Sequence, residues 1–401
     1  MASSKWKKYE ELTDIVRDKK VILWGASDWV GKTLDHIVLP VECIVDHSAL
    51  NQGVVYEGFE VRSPDMLREL DKDKHYIIIT TGGHYLSVVE ELQEMGYIMG
   101  DHFCCSPELN RRQDKEDILT YTATVLFSSP EHTFDDTSGG GLYTYAINPA
   151  KIEKVYAGKC RGVVRADDNF YVADMLRGIV ILNSDFSERS VITLQKNSEP
   201  HGITVDSQAG QVLISQPGRD SIARYDIESQ KQVGEIRLSE KWSYNKKDNH
   251  HINDLCLYGN SIFCSMFSFS GNWPSEVYDG GVIEIDKTTD RVIGPVISGM
   301  WMPHSIQRVN SELVFLNSMR GELRSGVFKT LGSFPHYTRG LAFDGRYYYI
   351  GTSEHAYPEK LEGFVNNIGL DGGFYLFDPK TKMSKFFKAE RTNAVHSIIT
   401  L

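Results

Sequence analysis

Short apolar segments alternate with amphipathic segments over the first 115 residues of the chain. The pattern predicts strands over residues 20–25, 41–46 and 76–81, and helices over residues 32–38, 63–70 and 85–95. Glycines follow the first and the third of these strands, and a helix comes after each glycine turn. Because this succession is typical of parallel strands, we expect an α/β domain with a doubly wound sheet over residues 1–117.

Beyond residue 118 helical periodicity disappears and two strand repeats take its place. The first joins an alternating strand to a polar turn and another strand, at residues 141–149, 221–227, 281–286 and 373–379. The second is a polar residue, a small residue or Asp, and an aliphatic residue: Arg161-Gly-Val, His201-Gly-Ile, Asn253-Asp-Leu, His304-Ser-Ile, Arg339-Gly-Leu and His396-Ser-Ile. The spacings of 40, 52, 51, 35 and 57 residues predict an all-β, six-bladed β-propeller over residues 118–401. Residues 122–158 would complete the last blade, and seven blades are the alternative.

The polar residue of the second repeat is expected to face the central channel, because the first strand of each propeller blade runs along it. Three of the six are histidines, His201, His304 and His396, and they fall on alternate blades. Imidazoles that converge in this way, with open positions for water or substrate, make a catalytic site for a divalent metal such as zinc, iron or manganese. The alternative is that these histidines line a water-filled channel and hydrogen-bond backbone groups.

The other channel positions indicate how a substrate would be held. Arg161 and Arg339 lie on the blades between the histidines, and a guanidinium presents a bidentate fork to carboxylate or phosphate. With Asn253 they are the predicted substrate-binding residues, the alternative being that the arginines pair with carboxylates such as Asp254. His251, two residues before Asn253, and Asp254 are the predicted catalytic groups that move a proton.

A glycine-containing loop follows the first predicted strand and leads into a helix. Gly25, Ser27 and Gly31 lie in this loop, where backbone N–H groups can meet an anion. The spacing matches neither G-x-G-x-x-G nor a P-loop, and Asp46 ends the next strand, where an acid can meet a ribose hydroxyl. These four residues are the predicted site of a nucleotide or nucleotide sugar. The alternatives are a docking domain without a ligand, and an Asp46 that caps the turn at residues 47–48.

Composition narrows the class of protein. The chain has 401 residues, 41% of them hydrophobic, and a net charge of −11, so it is globular and nucleic acid is not its expected partner. No segment approaches ~18 apolar residues, and the first residues lack an apolar signal region, so we expect neither a membrane span nor secretion. Six cysteines without a C-x-x-C spacing favour a reduced, cytoplasmic protein, and the oligomeric state stays open.

Four segments of the first domain carry a resemblance to a known family: Ile22-Leu-Trp-Gly-Ala-Ser27, Ile44-Val-Asp46, Gly58-Phe-Glu-Val-Arg-Ser-Pro64 and Ile77-Ile-Ile-Thr-Thr81. Residues 20–115 resemble the Rossmann-like domain of bacterial surface-polysaccharide enzymes, especially the N-terminal part of nucleotide-sugar acetyltransferases. The resemblance implies that the glycine loop and the acid contact a sugar nucleotide. Acetyl transfer is not implied, because the left-handed helix that carries it is not found in this sequence.

Four phrases of the second half carry another resemblance: His251-Ile-Asn-Asp-Leu255, Pro303-His-Ser305, Leu316-Asn-Ser318 with Gly321-Glu-Leu323, and Thr338-Arg-Gly-Leu341. Residues 120–401 resemble a poorly characterised bacterial propeller family, which implies a fold and no chemistry. More distantly, this half resembles the lactonase and streptogramin-lyase propellers, which use a channel metal, and the peptidylglycine lyases, which hold zinc by histidines.

Three functions compete on these grounds. The first is a metal-dependent lyase, isomerase or hydrolase acting on an anionic, carbohydrate-like or small-metabolite substrate in the channel. The second is a non-catalytic propeller that binds a glycan or partner, with an N-terminal domain that senses a nucleotide sugar. The third is a metal-free enzyme in which arginine and histidine bind an anion and exchange its protons.

Overall fold

The computed structural model describes residues 4–133, 137–354 and 367–401. The chain forms two compact units, residues 1–119 and 120–401. No helix in these described ranges is both long and apolar enough to cross a membrane.

The N-terminal unit is built on one six-stranded sheet. Its strands are β1 (Lys20–Trp24), β2 (Val41–Val45), β3 (Val55–Tyr56), β4 (Phe59–Arg62), β5 (His75–Ile79) and β6 (Phe103–Cys105). They lie in the order β3-β4-β2-β1-β5-β6, and all neighbours pair in parallel except β3 and β4. The predicted parallel sheet is therefore found as a mixed sheet, because the tight turn between β3 and β4 adds an antiparallel edge strand.

Helices cover both faces of this sheet. They are α1 (Tyr9–Ile15), α2 (Asp28–Leu34), α3 (Tyr85–Glu94) and α4 (Asn110–Thr120), with 3₁₀ turns at Pro64–Glu69 and Pro107–Leu109. Successive strand residues point to opposite faces, so Leu23 packs in the cluster that includes Val30 of α2, and Trp24 packs in the cluster that includes Leu92 of α3.

Two predicted helices differ from those observed. The helix expected over residues 32–38 is α2, which begins at Asp28 because the Ser27 hydroxyl accepts the N–H of Trp29 and caps its first turn. The segment 63–70 forms a short 3₁₀ helix, which begins after Ser63 with Pro64 in its first turn.

The second unit is a six-bladed β-propeller of four-stranded antiparallel sheets, as the described ranges show. Its first strands are β7 (Thr124–Thr133), β8 (Gly139–Ala146), β9 (Lys151–Ala157), β10 (Cys160–Ala166), β11 (Asn169–Asp174), β12 (Gly178–Asn183), β13 (Glu188–Ile192), β14 (Ile203–Asp206), β15 (Gln211–Gln216), β16 (Ser221–Asp226) and β17 (Gln232–Arg237). The rest are β18 (Ile252–Tyr258), β19 (Ser261–Met266), β20 (Gly280–Asp286), β21 (Val292–Met300), β22 (Pro303–Val309), β23 (Glu312–Asn317), β24 (Glu322–Ser325), β25 (Lys329–Ser333), β26 (Tyr337–Phe343), β27 (Tyr348–Ser353), β28 (Gly373–Phe377), β29 (Ser384–Lys388) and β30 (Ser397–Thr400). A short helix, α5 (Lys241–Asn245), and 3₁₀ turns at Pro217–Arg219, Trp273–Ser275 and Ser318–Arg320 lie between strands.

The ring closes as the repeat predicts. The last strand, β30, pairs with β7, and the sheet continues through β8 and β9 in the order β30-β7-β8-β9. The expectation that residues 122–158 complete the last blade is confirmed, and so is the count of six blades. Pairing segments that are distant in the chain within one blade leaves no open edge between the first blade and the last.

Candidate functional site

The six polar residues of the second repeat, which we call the channel layer, lie at or just before the starts of the innermost strands of the propeller. Arg161, Asn253, His304 and Arg339 lie near the starts of β10, β18, β22 and β26. The other two precede their strands, because His201 lies two residues before β14 and His396 directly before β30. The structure thus brings the predicted metal-binding and substrate-binding residues to equivalent places around the ring.

The small residue after the polar one lets neighbouring strands come close together. Gly162 N–H donates to His201 O at 2.9 Å, and Gly202 N–H donates to Asn253 O at 3.0 Å. A Cβ at either glycine would lie only 2.5 Å and 2.4 Å from those same carbonyl oxygens. Gly162 and Gly202 therefore allow a close approach of neighbouring inner strands that a larger residue would prevent.

The three histidines are buried and near one another. The exposed fractions of His201, His304 and His396 are 1%, 2% and 2%. The ring centroids of His201 and His396 are 6.0 Å apart, and those of His304 and His396 are 6.1 Å apart. The ring of His396 therefore lies close to both of the other imidazoles.

Backbone carbonyls orient two of these rings. His201 Nδ1 lies 2.8 Å from Glu199 O, and His304 Nδ1 lies 3.0 Å from Met302 O and 2.7 Å from the hydroxyl of Ser318. Glu199 and Met302 have positive φ angles of 48° and 53°, which turn their carbonyls toward the rings. Since a carbonyl only accepts, each Nδ1 carries the proton, and the lone pair of a neutral ring is on Nε2.

His396 has no such anchor. Its Nδ1 and Nε2 are both buried, and neither has a hydrogen-bond partner in the described chain. Buried polar atoms without partners are unusual in folded proteins, and they mark places where water, an ion or a ligand belongs.

The guanidinium groups of Arg161 and Arg339 lie near the three histidines and affect their protonation. Arg161 Nη1 contacts His201 Nε2, and Arg339 Nε is buried without a partner in the part of the chain described here. Burial lowers the pKa of all three imidazoles well below the usual value. The largest charge effect after burial comes from Arg161 at His201 and from Arg339 at His304 and His396, and it lowers the pKa further. The imidazoles are therefore neutral, and the positive charge of the layer is on the arginines.

Within residues 4–133, 137–354 and 367–401, no group of three or more His, Cys, Asp or Glu side chains is placed to hold a metal ion. One reason is that Arg161 contacts Nε2 of His201, the atom that a metal would need. The three imidazoles come together, but as placed they are not a ligand set, and the metal stays a prediction.

His251 lies beside the channel layer, but not in the backbone conformation that the sequence predicts. It was expected on a strand, but it lies just before β18 with a φ of 46°, a conformation that non-glycine residues rarely adopt. Its Nδ1 contacts the carboxylate of Asp248, and its ring centroid is 5.2 Å from that of His201. The rings of Phe267 and Trp273 pack beside it, with centroids 4.4 Å and 5.0 Å away. An imidazole held by a carboxylate beside the channel layer can take up and release a proton.

Asn253 and Asp254 are adjacent in sequence but face different surroundings. Asn253 is fully buried, its Nδ2 donates to His251 O at 3.2 Å, and its Oδ1 has no partner in the described chain. Asp254 Oδ2 accepts the N–H of Ser305 at 2.6 Å, and burial raises the pKa of this carboxyl to about 6. Asp254 lines a cavity of about 430 Å³ that lies further along the inner strands.

Some of the predicted nucleotide-site residues share a crevice in the N-terminal unit. Gly25 and Asp46 line a crevice of about 370 Å³ at the carboxyl ends of β1, β2 and β5, whereas Ser27 and Gly31 are not among its lining residues. Asp46 accepts the N–H groups of Ala26 and Ser48, both at 2.8 Å, so it caps the turn at residues 47–48. Ser27 caps α2, and a Cβ on Gly31 would lie 3.2 Å from the carboxylate of Glu57.

Sequence reasoning missed the groups that orient the channel side chains. Asp248 was not singled out, although it lies three residues before His251 in a polar turn. The carbonyls of Glu199 and Met302 carry no side-chain signal, because their role comes from backbone conformation. The hydroxyl of Ser318, directly after β23, also contacts Nδ1 of His304.

Comparisons with known proteins leave the function open. A family model described as a domain of unknown function (DUF4915) matches residues 242–366, and a search of curated proteins found no match. Among solved structures, a nidogen/laminin complex is 12% identical with a TM-score of 0.49, and covers 70% of this chain and 98% of its own. A putative gluconolactonase is also 12% identical, with a TM-score of 0.45 and coverage of 70% and 86%. A luciferin-regenerating enzyme is 10% identical, with a TM-score of 0.43 and coverage of 59% and 78%. None of these likenesses informs the chemistry of this chain.

Proposed function

We propose that the propeller channel binds a small anionic substrate, bearing a carboxylate or a phosphate, between Arg161 and Arg339. The neutral imidazoles around that anion would accept a proton from it or from water. One observation carries the proposal: two guanidiniums act on a cluster of buried, neutral imidazoles that includes unpartnered polar atoms.

Electrostatics favour an anion over a bare cation in this layer. A charge taken out of water needs a partner of opposite charge. Both arginines lower the pKa of His304 and His396, so their positive charge acts on the space around those rings. An anion in that space would supply the missing partner. A carboxylate or phosphate accepts hydrogen bonds from guanidinium N–H groups, and such charge-assisted bonds are the strong ones. Arg339 Nε, which has no partner in the described ranges, is available as a donor.

The imidazoles supply the reactive part of the site. His201 and His304 hold their protons on Nδ1. The Nε2 of His201 faces Arg161, so the Nε2 lone pair of His304 is the one placed to accept a proton. Proton abstraction from a bound carboxylic acid derivative, or from water that attacks it, fits a lyase, an isomerase or a hydrolase. We infer that the site is catalytic, with His251 and its Asp248 partner as the group that exchanges protons at the edge of the layer.

A metal-assisted form of this reaction is the second candidate. The observation that favours it is the anchoring of Nδ1 of His201 and His304 on carbonyl groups, an arrangement that metal-binding histidines share. His201, His304 and His396 would hold a divalent ion such as zinc, iron or manganese, which would polarise a carbonyl or activate water. Arg161 would then have to leave His201 and bind the substrate anion.

For the N-terminal unit we propose a Rossmann-like domain whose crevice holds the sugar or nucleoside part of a ligand. The parallel strands lie in the order β4-β2-β1-β5-β6, which reverses at β1, and ligands of such sheets bind where the order reverses. The crevice includes Asp46, His47 and Glu91, and its lining has no lysine or arginine, which favours hydroxyl groups over phosphate. Titration with a free sugar and with its nucleotide derivative would separate the contribution of the sugar from that of the nucleotide. If neither compound bound, the proposal would be excluded.

Calorimetric titration of the protein with sulfate, phosphate and acetate tests the anion proposal. Because a hydrogen bond to a charged group contributes about 1.5–3 kcal/mol, Arg339→Gln is expected to weaken anion binding at least about tenfold. Arg291→Gln, which changes an exposed arginine of the same propeller, is the matched control and should bind as the unmodified protein does. Equal binding by both variants would contradict the proposal.

Elemental analysis decides between the two forms of the reaction. Protein purified without chelators and holding about one transition-metal ion per chain would favour the metal-assisted form. Replacement of His304 by Ala should then remove that ion, whereas a metal content at trace level would leave the metal-free form.

A further inference from the structure

The propeller channel continues beyond the layer of arginines and histidines. Residues that follow this layer on all six inner strands line the cavity of about 430 Å³. Apolar side chains such as Val163, Ile203 and Leu341 form much of its wall, and Asp254 is the carboxylate among the lining residues. A cavity of this volume holds several water molecules, so a proton can reach Asp254 from the end of the channel that lies away from the histidines.

Asp254 is also within the electrostatic reach of the anion site. The charges of Arg339 and Arg161 both lower the pKa of its carboxyl group, and no ion pair of Asp254 with either arginine is found among the described residues. Its Oδ2 accepts the N–H of Ser305, and no hydrogen bond to its other oxygen is found in the described ranges. Asp254 is therefore a counter-charge to the arginines that does not neutralise them by direct contact.

The ionised carboxylate of Asp254 is one negative charge that acts on the two guanidiniums. An anion bound between Arg161 and Arg339 would be a second. Each would weaken the attraction of the other, and a proton on the carboxylate removes that conflict. Of the other groups near Asp254, the Cys264 thiol on β19 is buried with its pKa raised, so it does not supply such a proton. Arg165 on the cavity wall is a further cation.

We propose that binding of an anion between Arg161 and Arg339 is coupled to the uptake of one proton by Asp254, which receives it through the cavity. The proton comes from the solvent and converts the carboxylate to a carboxylic acid, with no other bond formed or broken. The inference rests on the proposed function and deepens it, because it makes Asp254 the residue that determines how anion affinity depends on pH.

Sulfate is a suitable probe, because it does not titrate between pH 5.5 and 8.5, roughly the range in which Asp254 would change its protonation. Titrations in two buffers of different ionisation enthalpy give the number of protons taken up with the anion. We expect about one proton at pH 7.5, and a loss of affinity of up to about tenfold per pH unit above pH 6.5. Asp254→Asn should bind sulfate with uptake near zero and affinity independent of pH, whereas Asp168→Asn, in the exposed turn between β10 and β11, should behave as the unmodified protein.

The outcomes separate this inference from the proposed function. Absence of sulfate binding at every pH would overturn both. Binding without proton uptake, or the same uptake in Asp254→Asn, would overturn the coupling alone, since the proton would then go to an imidazole or to no group. Should Asp254→Asn fail to fold, infrared difference spectra of the unmodified protein decide, because sulfate must then produce the band of a protonated carboxyl group, and its absence refutes the inference.

Discussion

Replacing Asp254 by Asn should change how the stability of the propeller depends on pH. Burial raises the pKa of this carboxyl from the ordinary 3.8 to about 6, despite the opposing effects of the Ser305 N–H and of Arg339 and Arg161. The folded protein therefore binds this proton more tightly than the unfolded chain does. Stability from this source is fully present below pH 4, and it is lost as the pH rises through 6.

The size of the effect follows from the shift. A displacement of about two pKa units, at 1.36 kcal/mol per unit, costs the folded protein up to about 3 kcal/mol above pH 7. Asn does not ionise, and its side-chain oxygen can still accept the Ser305 N–H. We therefore expect Asp254→Asn to match the unmodified protein at pH 4 and to exceed its free energy of unfolding by up to about 3 kcal/mol at pH 7.5.

Chemical denaturation at pH 4, 5, 6 and 7.5, followed by tryptophan fluorescence, measures the difference. Asp168→Asn controls for the loss of one formal charge on the surface. A constant difference at all four pH values, or a variant less stable than the unmodified protein at pH 7.5, would refute the reasoning, because either would mean that Asp254 is not held in an environment that disfavours its ionised form.

Three further predictions test the channel and the N-terminal unit. Gly162→Ala places a Cβ 2.5 Å from His201 O and should destabilise the propeller by about 1–3 kcal/mol, whereas Gly83→Ala, which meets nothing within 4 Å, should have little effect on thermal unfolding. Ser27→Ala removes the cap of α2 and should lower the free energy of unfolding of the N-terminal unit by about 1 kcal/mol in urea titrations, and no change would show that the cap is unimportant. Asp248→Asn should leave anion affinity within a few-fold and reduce turnover of any substrate that requires proton transfer, whereas equal turnover would remove His251 from the mechanism.

The propeller was predictable from the sequence because the same short pattern of residues recurs on the innermost strand of each blade. A polar residue that faces the channel is followed by a small one that lets the next strand approach, as at Gly162 and Gly202, and this pair recurs in register with the strands. Apolar alternation and turn residues then place the outer strands. The same logic brought Arg161 and His304 to one layer, although they are far apart in the chain.

The orientation of the site was not predictable to the same degree. The positive φ angles of Glu199, His251 and Met302 are properties of the folded backbone, and they cannot be predicted from these residue types. It is these turns that direct carbonyls onto two imidazoles and bring His251 beside His201. The contact of Arg161 with His201 was also missed, because a count of ligands along the sequence does not say which side chain takes the space where a metal would bind.

In the N-terminal loop the sequence predicted the position of the residues but not the role of their side chains. Gly25 and Asp46 lie directly after β1 and β2, as the sequence predicts, and both line the crevice. The side-chain oxygens of Asp46, however, accept backbone N–H groups of the neighbouring turns. An acid at the end of a strand can accept the N–H groups of a turn or the hydroxyl groups of a ribose, and the residue type alone does not distinguish the two roles.

The most direct test of an anion site in the propeller channel is a crystal structure of the protein grown with tungstate, whose anomalous signal locates the anion without reference to any other atom. If the site binds anions as proposed, a peak is expected between Arg161 and Arg339, within about 4 Å of both guanidinium groups. Tungstate bound elsewhere on the surface with the channel layer holding only water, or a peak that contacts neither arginine, would contradict it.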